Sequence, residues 1–208
     1  KQIMPNYVIS PPAQPSLPIR GTNARFPVRR IYCIGRNYKE HIKEMGHNPD
    51  KEPPFFFQKN GDNIDSSGKF PYPPQTNDVH FEVEMTIALS SGGKNISESE
   101  AEKHVFGYGI GLDMTRRDLQ SRMKKLGQPW EIAKAFEHSA PMSPLAPANE
   151  IGHLYTGKIS LTVNGKIRQN GNLNQMIWKV PEQIAYLSRF YEIAAGDLIM
   201  SGTPAGVG

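Results

Sequence analysis

Two glutamates at alternate positions, Glu82 and Glu84, lie where apolar and polar residues alternate through residues 81–89. A period of two is typical of a β-strand, so both carboxylates are predicted to share one face, roughly 6–7 Å apart along it. Like charges this close repel each other, and the stretch contains no basic residue. Asp113, after the apolar residues 105–112, is the natural third ligand for a hard divalent cation such as Mg²⁺. The alternative is that both glutamates line the solvated face of an antiparallel sheet.

An imidazole and a carboxylate occupy positions i and i+3 of a predicted short helix, at His41 and Glu44. The helix is predicted to have Asn37 as its N-cap and to end at Gly46. A carboxylate beside an imidazole fixes its tautomer and raises its basicity, which prepares a general base. The alternative is an exposed pair on a surface turn. His80, on the face of the two glutamates, is either a ligand favouring iron or manganese or, as we prefer, a structural neighbour.

Other polar residues lie at the ends of predicted elements, where side chains often face a site. Lys59 follows a buried strand, and Lys134 lies in a short segment after the predicted helix 116–126. Arg117 and Gln120 fall in the first turns of that helix. The glycine-rich loop 201–206 offers backbone N–H groups and a hydroxyl to a carboxylate.

The chain is basic, with a formal net charge of +4 and an isoelectric point near 9.1. Its one basic cluster lies on the predicted helix beside the acidic site and comprises Arg116, Arg117, Arg122, Lys124 and Lys125. This charge suits an enzyme whose substrate is a small di-acid. No zinc-finger spacing, basic-region heptad or aromatic RNA-binding motif accompanies the cluster, so nucleic acid is not expected as a partner.

Composition predicts one domain, because 208 residues with 38% hydrophobic content can bury a sizeable core. No apolar run has the length of a membrane span, and residues 1–10 lack the apolar centre of a secretory signal. The single cysteine, Cys33, fits a reducing, cytoplasmic compartment, and its apolar neighbours predict a buried structural thiol. Because the chain lacks an initial Met and stops in a glycine-rich turn at Gly208, we expect both ends, including the C-terminal one, to be missing.

The strands and helices that must position these residues can be predicted from the sequence. Strands outnumber helices and no βαβ alternation appears, so the predicted fold is mainly β with short helices, of the α+β class. Residues 1–28 are rich in proline without periodicity and are predicted to form an extended N-terminal arm. Residues 29–208 are predicted to form one domain. Within it, the pair Asn164-Gly165 between two alternating stretches predicts a β-hairpin.

Six segments, in this order along the chain, resemble the fumarylacetoacetate hydrolase superfamily. They are IYCIGRNYKEHIKEMG (31–46), HFEVEMTIAL (80–89), YGIGLDMTRRDLQ (108–120), AKAF (133–136), VNGKIRQ (163–169) and GDLIMSGTPAGVG (196–208). Within the superfamily, the stretches GLDMTRRDLQSRMKKLGQPWEIAKAF and MIWKVPEQIA and the proline-rich arm are similar to the fumarylpyruvate hydrolases of gentisate breakdown.

The resemblance implies a mixed β-sandwich roll, usually a homodimer, that acts as a catalytic domain. It implies Mg²⁺ or Mn²⁺ as the cofactor, and the residues that it implies for the metal are Glu82, Glu84 and Asp113. It also implies that His41 and Glu44 lie on a lid and activate water. Lys134 is implied as the active-site lysine, and the implied substrate contacts are Arg117, Gln120 and Thr203, with Lys59 assisting.

One departure from the family pattern is Arg116, which stands where relatives commonly have a small residue. We hypothesise that its guanidinium binds the distal carboxylate of the substrate, since the planar fork of arginine matches a carboxylate. The alternative is an exposed surface arginine. A second departure is Asn60-Gly61 after Lys59, where relatives often have proline and a small residue.

The activity implied is metal-dependent hydrolysis of a carbon–carbon bond in a 2,4-dioxo acid. The expected substrate is fumarylpyruvate, and the expected products are fumarate and pyruvate. A broader acylpyruvate hydrolase, or an oxaloacetate decarboxylase on the same site, is the alternative. A more distant alternative is a non-catalytic binding protein on this fold, which would not explain why all the catalytic and acidic residues are present.

Overall fold

The computed structural model describes residues 6–47 and 53–208. Within these residues the strands are Ser16–Pro18 (β1), Arg25–Pro27 (β2), Arg30–Gly35 (β3), Phe55–Asn60 (β4), Ile64–Asp65 (β5), Val79–His80 (β6), Val83–Leu89 (β7), Val105–Leu112 (β8), Thr115–Arg116 (β9), Ala140–Pro141 (β10), Ala146–Pro147 (β11), Lys158–Val163 (β12), Lys166–Asn172 (β13) and Leu198–Met200 (β14). The α-helices are Lys39–Glu44 (α1), Glu98–Ala101 (α2), Arg117–Leu126 (α3), Glu131–Lys134 (α4), Ala148–Ile151 (α5) and Val180–Leu187 (α6). The 3₁₀ helices are Gly61–Asn63, Glu102–His104 and Leu173–Gln175.

A mixed six-stranded sheet forms the centre of the molecule, in the order β11-β8-β7-β14-β3-β4. Adjacent strands in this sheet are antiparallel, except that β14 and β3 are parallel to each other. Smaller two-stranded pairs surround it. This mainly β architecture with short helices confirms the predicted fold class.

Both faces of the central sheet are covered, because alternate residues of its strands enter two different cores. On β3, Tyr32 and Ile34 join the larger core, whereas Ile31 and Cys33 join the smaller one on the opposite face. Cys33 is fully buried, as predicted, and burial raises the pKa of its thiol well above the usual value. A strand in the middle of such a sheet is buried on both sides.

The predicted strand through residues 81–89 begins two residues later, at Val83, and every residue of β7 is buried. The alternative of a solvated face for the two glutamates is therefore wrong. Glu82 is only 5% exposed and Glu84 only 2%. Their face of the strand continues at Ala88 into the smaller core, so the carboxylates lie at one end of a covered surface.

The segment predicted as an extended arm is not uniform. Its first five residues lie outside the described part of the chain, and residues 6–15 contain no helix or strand. The strands β1 and β2 form an antiparallel pair, and Leu17 and Phe26 from this pair enter the smaller core. The end of the arm therefore packs onto the body, and the boundary at residue 29 stays a prediction.

Local signals in the sequence correspond to turns and helix ends in the structure. Asn164 and Gly165 both have positive φ, 50° and 76°, and join β12 to β13 as a type I′ turn does. Gly127, the C-cap residue directly after α3, is left-handed with a φ of 63°. No helix in the described ranges has both the length and the apolar character needed to cross a bilayer.

Candidate active site

Antiparallel pairing of β7 and β8 brings the three predicted carboxylates together. Glu84 lies opposite Gly111, and the backbone N–H of Asp113 donates to the Glu82 carbonyl at 2.9 Å. The residue just after β8 is thereby fixed beside the residue just before β7. One oxygen from each of Glu82, Glu84 and Asp113 lies within 4.8 Å of the others. The predicted acidic triad therefore exists as a buried cluster.

The environments of Glu82 and Glu84 drive their ionisation in opposite directions. Burial, followed by Asp113 and Glu82, raises the pKa of the Glu84 carboxyl well above its usual range. Its oxygen Oε2 accepts a hydrogen bond from the backbone N–H of Gly202 at 3.0 Å. Burial also opposes ionisation of Glu82, but the charges of Lys134 and Arg117 outweigh it and lower the pKa of Glu82.

Two buried lysines hold Asp113 from different sides. Lys134 Nζ donates to Asp113 Oδ2 at 2.7 Å, to Glu82 Oε2 at 3.0 Å and to Thr115 Oγ1 at 2.6 Å. Burial opposes its charge, yet Asp113 and Glu82 raise the pKa of Lys134. Lys59 Nζ lies 2.8 Å from Asp113 Oδ1 and donates to the carbonyl oxygens of Met114, at 3.1 Å, and Lys134. Lys59 therefore ties three segments together beneath the site.

Helix α3 supplies the guanidinium of Arg117, which contacts Glu82 Oε1 through Nη2. Its Nη1 donates to Gln120 Oε1 at 2.6 Å, and its Nε donates to His80 Nδ1 at 3.1 Å. Burial and the neighbouring Arg117 lower the pKa of His80, which keeps the imidazole neutral as an acceptor. His80 Nε2 lies 3.0 Å from Asp78 Oδ1. His80 thus orients Arg117, which fits the structural interpretation.

Helix α1 brings the predicted imidazole–carboxylate pair to the site. His41 Nδ1 lies 3.0 Å from Glu44 Oε2, and Glu44 Oε1 accepts from the backbone N–H of Gly206 at 3.0 Å. An ionised carboxylate can only accept, so Nδ1 carries the shared hydrogen and Nε2 is left as the basic nitrogen. His41 is 8% exposed, so the alternative of an exposed surface pair is wrong for the imidazole.

The prediction that Asn37 caps α1 is wrong, because Tyr38 is the N-cap residue. The Asn37 side chain instead accepts from the Trp178 N–H at 2.7 Å and donates to the Ser201 carbonyl at 2.8 Å. This bridge fixes the start of α1 against the 201–206 loop. Thr203 of that loop is buried, and its hydroxyl accepts from Gln169 Nε2 at 2.7 Å.

One small cavity of about 40 Å³ joins most of these groups. Its lining includes the predicted site residues His41, Glu82, Glu84, Asp113, Arg117, Gln120, Lys134 and Thr203. Three predicted residues do not line it. Glu44 lies behind His41, Lys59 lies under Asp113, and Arg116 lies over the Phe136 ring, 4.4 Å from its centroid, with Nη1 donating to the Ile132 carbonyl.

The cavity also has lining residues that were not predicted as site residues from the sequence. They include Arg36, Phe55, Phe57, Lys124 and Trp130. The helical period gives a signal for Lys124, since it follows Arg117 by seven residues and Gln120 by four and so falls on the same face of α3. The aromatic residues give no such signal, because their stretch reads equally well as buried core.

The donor set fits a hard divalent cation. The triad offers carboxylate oxygens, which such ions prefer, and burial followed by the neighbouring carboxylates Asp113 and Glu82 raises the pKa of Glu84, which a cation would offset. Asp113 Oδ1, although 2.8 Å from Lys59 Nζ, forms no hydrogen bond of good geometry with the described residues. That oxygen and the Glu84 carboxylate are the groups that a metal would satisfy.

The chain is similar to known proteins over most of its length. The family description "Fumarylacetoacetate (FAA) hydrolase C-terminal" matches residues 30–208. A crystal structure of fumarylpyruvate hydrolase from Pseudomonas aeruginosa in complex with Mn²⁺ and pyruvate superposes with a TM-score of 0.95 at 50% identity, covering 98% of this chain and 89% of that one. The oxaloacetate tautomerase YcgM of Escherichia coli is 41% identical over 91% of this chain and 87% of its own length. The mitochondrial oxaloacetate decarboxylase of Dictyostelium discoideum is 39% identical over 86% of this chain and 83% of its own length.

Proposed function

The chain belongs to the fumarylacetoacetate hydrolase family, and from this premise we propose that it is a metal-dependent hydrolase of 2,4-dioxo acids. Its substrate is fumarylpyruvate, and its products are fumarate and pyruvate. The observation that carries the proposal is the shared cavity, where a buried carboxylate triad faces a histidine oriented by a glutamate. The similar Pseudomonas aeruginosa enzyme, which was crystallised with Mn²⁺ and pyruvate, supports the choice of substrate and metal.

Glu82, Glu84 and Asp113 would hold the metal, either Mg²⁺ or Mn²⁺. When bound, such an ion acts as a Lewis acid that stabilises negative charge developing on oxygen. Lys59 keeps Asp113 in place from below, through its contact of 2.8 Å. Lys134 stays charged beside the same carboxylates and adds positive charge where an enolate develops.

His41 is the general base of the proposed reaction. Its Nε2 takes a proton from water, and Glu44 stabilises the imidazolium that results. The water oxygen forms a bond to the carbonyl carbon that joins the fumaryl part. The carbon–carbon bond to the methylene then breaks, and its electron pair leaves with the pyruvate part as an enolate. The proton that His41 took from water returns to the methylene carbon, which gives pyruvate and restores the neutral imidazole.

Arg117, Gln120 and Thr203 are the proposed contacts to the 2-oxo acid end of the substrate. Arg117 is held on three sides by Glu82, His80 and Gln120, so its fork enters the reaction already oriented. Arg116 has no place in this scheme, because its side chain is engaged with Phe136 and Ile132 outside the cavity.

We also propose that the protein is a cytoplasmic homodimer without nucleic-acid or membrane partners. One fully buried cysteine fits a reducing compartment. The dimer is an expectation from the family resemblance. Light scattering of the purified protein would give the mass of the assembly directly, and a monomer mass would contradict it.

The decisive experiment follows the loss of enol absorbance of fumarylpyruvate. We expect turnover that stops with EDTA, returns with Mg²⁺ or Mn²⁺, and yields equal amounts of fumarate and pyruvate. The His41→Ala variant is expected to lose activity by about 10²–10⁴-fold. Turnover that is indifferent to EDTA would contradict the proposal, and so would products other than these two.

A second candidate function is chemistry on oxaloacetate, which the similarity to the Escherichia coli tautomerase and the Dictyostelium discoideum decarboxylase favours. Both reactions pass through an enolate of a 2-oxo acid, but neither consumes water. The same protein should therefore be assayed for enol–keto exchange and CO₂ release with oxaloacetate. Activity there without fumarylpyruvate hydrolysis would favour this candidate, and inactivity in all assays would favour a non-catalytic binding protein.

A further inference from the structure

Helix α3 presents three polar side chains along one face, at Arg117, Gln120 and Lys124. All three line the cavity, but their engagement differs. Arg117 donates to Gln120 and to Glu82 of the acidic triad, and Gln120 accepts from Arg117. Lys124 is half-buried, and its Nζ lies 5.1 Å from the centroid of the Trp130 ring. It forms no hydrogen bond or ion pair with the part of the chain that the structure describes.

The cavity has an aromatic wall of Phe55, Phe57 and Trp130, and Trp130 is the ring that Lys124 contacts. The Trp130 ring lies 5.5 Å from Phe55 and 5.8 Å from Phe57, measured between centroids. A second cation, Arg36, lies 5.4 Å from the centroid of Phe55. An ammonium beside an aromatic ring gains cation–π energy, yet keeps N–H groups available for an anion.

The charges of the cavity are unequally distributed. Lys134 and Arg117 are paired with carboxylates of the triad, at the metal end. At the aromatic end, burial and then the charges of Arg117, Arg36 and Lys134 lower the pKa of Lys124 to about 8. When neighbouring cations disfavour the charged form of a lysine, the electrostatic potential at that lysine is positive. Such a region attracts an anionic group.

We propose that Lys124, with Arg36 beside it, binds the second, distal carboxylate of a dicarboxylic dioxo acid and so determines substrate specificity. The inference rests on the proposed function, since the 2-oxo acid end of the substrate occupies the metal end. The aromatic wall contacts the unsaturated chain between the two carboxylates. This site takes over the role that the sequence suggested for Arg116.

The test compares Lys124→Met with Lys125→Met. Methionine keeps the length of the side chain and removes its charge, and Lys125 is an exposed neighbour on the same helix that does not line the cavity. The readout is the ratio of kcat/KM for fumarylpyruvate to kcat/KM for acetylpyruvate, which lacks the distal carboxylate.

We expect the ratio to fall roughly 10- to 100-fold in Lys124→Met, because the variant loses a hydrogen bond to a charged group. The fall should come from a higher KM for fumarylpyruvate rather than from a lower kcat. Lys125→Met should keep the ratio of the unaltered protein, and Lys124→Arg should restore most of it. A ratio in Lys124→Met within twofold of the unaltered protein would overturn the proposal.

Failure of the proposed function gives a different result. If the unaltered protein hydrolyses neither substrate, the hydrolase assignment is wrong, and the subsite is then tested by calorimetric titration with fumarate. A dissociation constant raised at least tenfold by Lys124→Met, but not by Lys125→Met, supports an anion subsite. Equal constants in all three proteins refute it.

Discussion

Buried charges of both signs meet in the site, and each one depends on the others. The carboxylates belong to Glu82, Glu84 and Asp113, and the cations are Lys59, Lys134 and Arg117. Removing one member of such a cluster leaves an uncompensated charge in a medium of low dielectric, which costs more than the pair itself contributes. The cluster is therefore sensitive to single substitutions even at positions that never meet substrate.

Lys59 gives the sharpest test of this dependence. Its side chain is fully buried and binds one carboxylate and two backbone carbonyls. Lys59→Met should lower the free energy of unfolding by about 3–5 kcal/mol, because Asp113 and both carbonyls lose their partner. Urea denaturation of the metal-free protein measures it. Gln58→Met, at an exposed position of the same strand, is the control and should change the free energy of unfolding little. A loss below about 1 kcal/mol for Lys59→Met would contradict the prediction.

The lowered pKa of Lys124 predicts a pH dependence of specificity. The ammonium is charged below about pH 8 and loses its charge as the pH rises through that value. The kcat/KM for fumarylpyruvate should therefore decline relative to that for acetylpyruvate above about pH 8, since this parameter reports the free enzyme. The decline should be absent in Lys124→Met. A ratio that is constant between pH 6.5 and 9.5 in the unaltered protein would argue against a titrating lysine.

Neighbouring arginines show where residue types alone mislead. Arg116 and Arg117 both look suited to bind a carboxylate, but consecutive residues at a helix start point in different directions. Arg117 reaches the triad, whereas Arg116 lies over Phe136. The acidic triad was predictable because strand alternation and the position after β8 are local signals. Which of the two arginines faces the cavity depends on how the start of the helix packs against the sheet, and the sequence alone does not show that packing.

Helix α1 is held at both ends by contacts distant in sequence. Asn37 binds the backbone of Trp178 and Ser201 at its start, and Glu44 binds Gly206 at its end. His41, from the middle of this helix, lines the cavity. The contacts of Glu44 to His41 and Gly206 therefore hold the imidazole in position at the cavity.

Replacing Glu44 tests this role of the helix. Glu44→Ala loses the contacts to both His41 and Gly206, so we expect kcat for fumarylpyruvate to fall by about 100-fold. Glu44→Gln keeps an amide oxygen for one of the two donors and should retain intermediate activity. The matched control is Glu40→Gln, since Glu40 is exposed on the same helix and pairs only with Lys43 among described side chains. Equal activity in Glu44→Ala and Glu40→Gln would exclude the role.

The arrangement of the whole sheet was the least predictable feature. The sequence predicted a short strand near residues 197–200, but not that β14 lies between β7 and β3. Its register places Leu198 beside Ile31 on one side and beside Ala88 on the other. Such pairings join residues far apart in the chain. The sequence of a strand of only three apolar residues does not indicate which strands will pair with it. The prediction of fold class survived because it depended on the proportion of strands, not their order.

The late position of β14 has a consequence during synthesis on the ribosome. Until residue 200 has emerged, β3 and β7 lack the strand that separates them, so two facing edges remain open to chaperones or to other nascent chains. Cys33 pairs in register with Met200 and is fully buried once the sheet is complete. Its thiol therefore reports the event: alkylation should be rapid in ribosome-bound chains stalled before residue 200 and nearly stop in chains released after it.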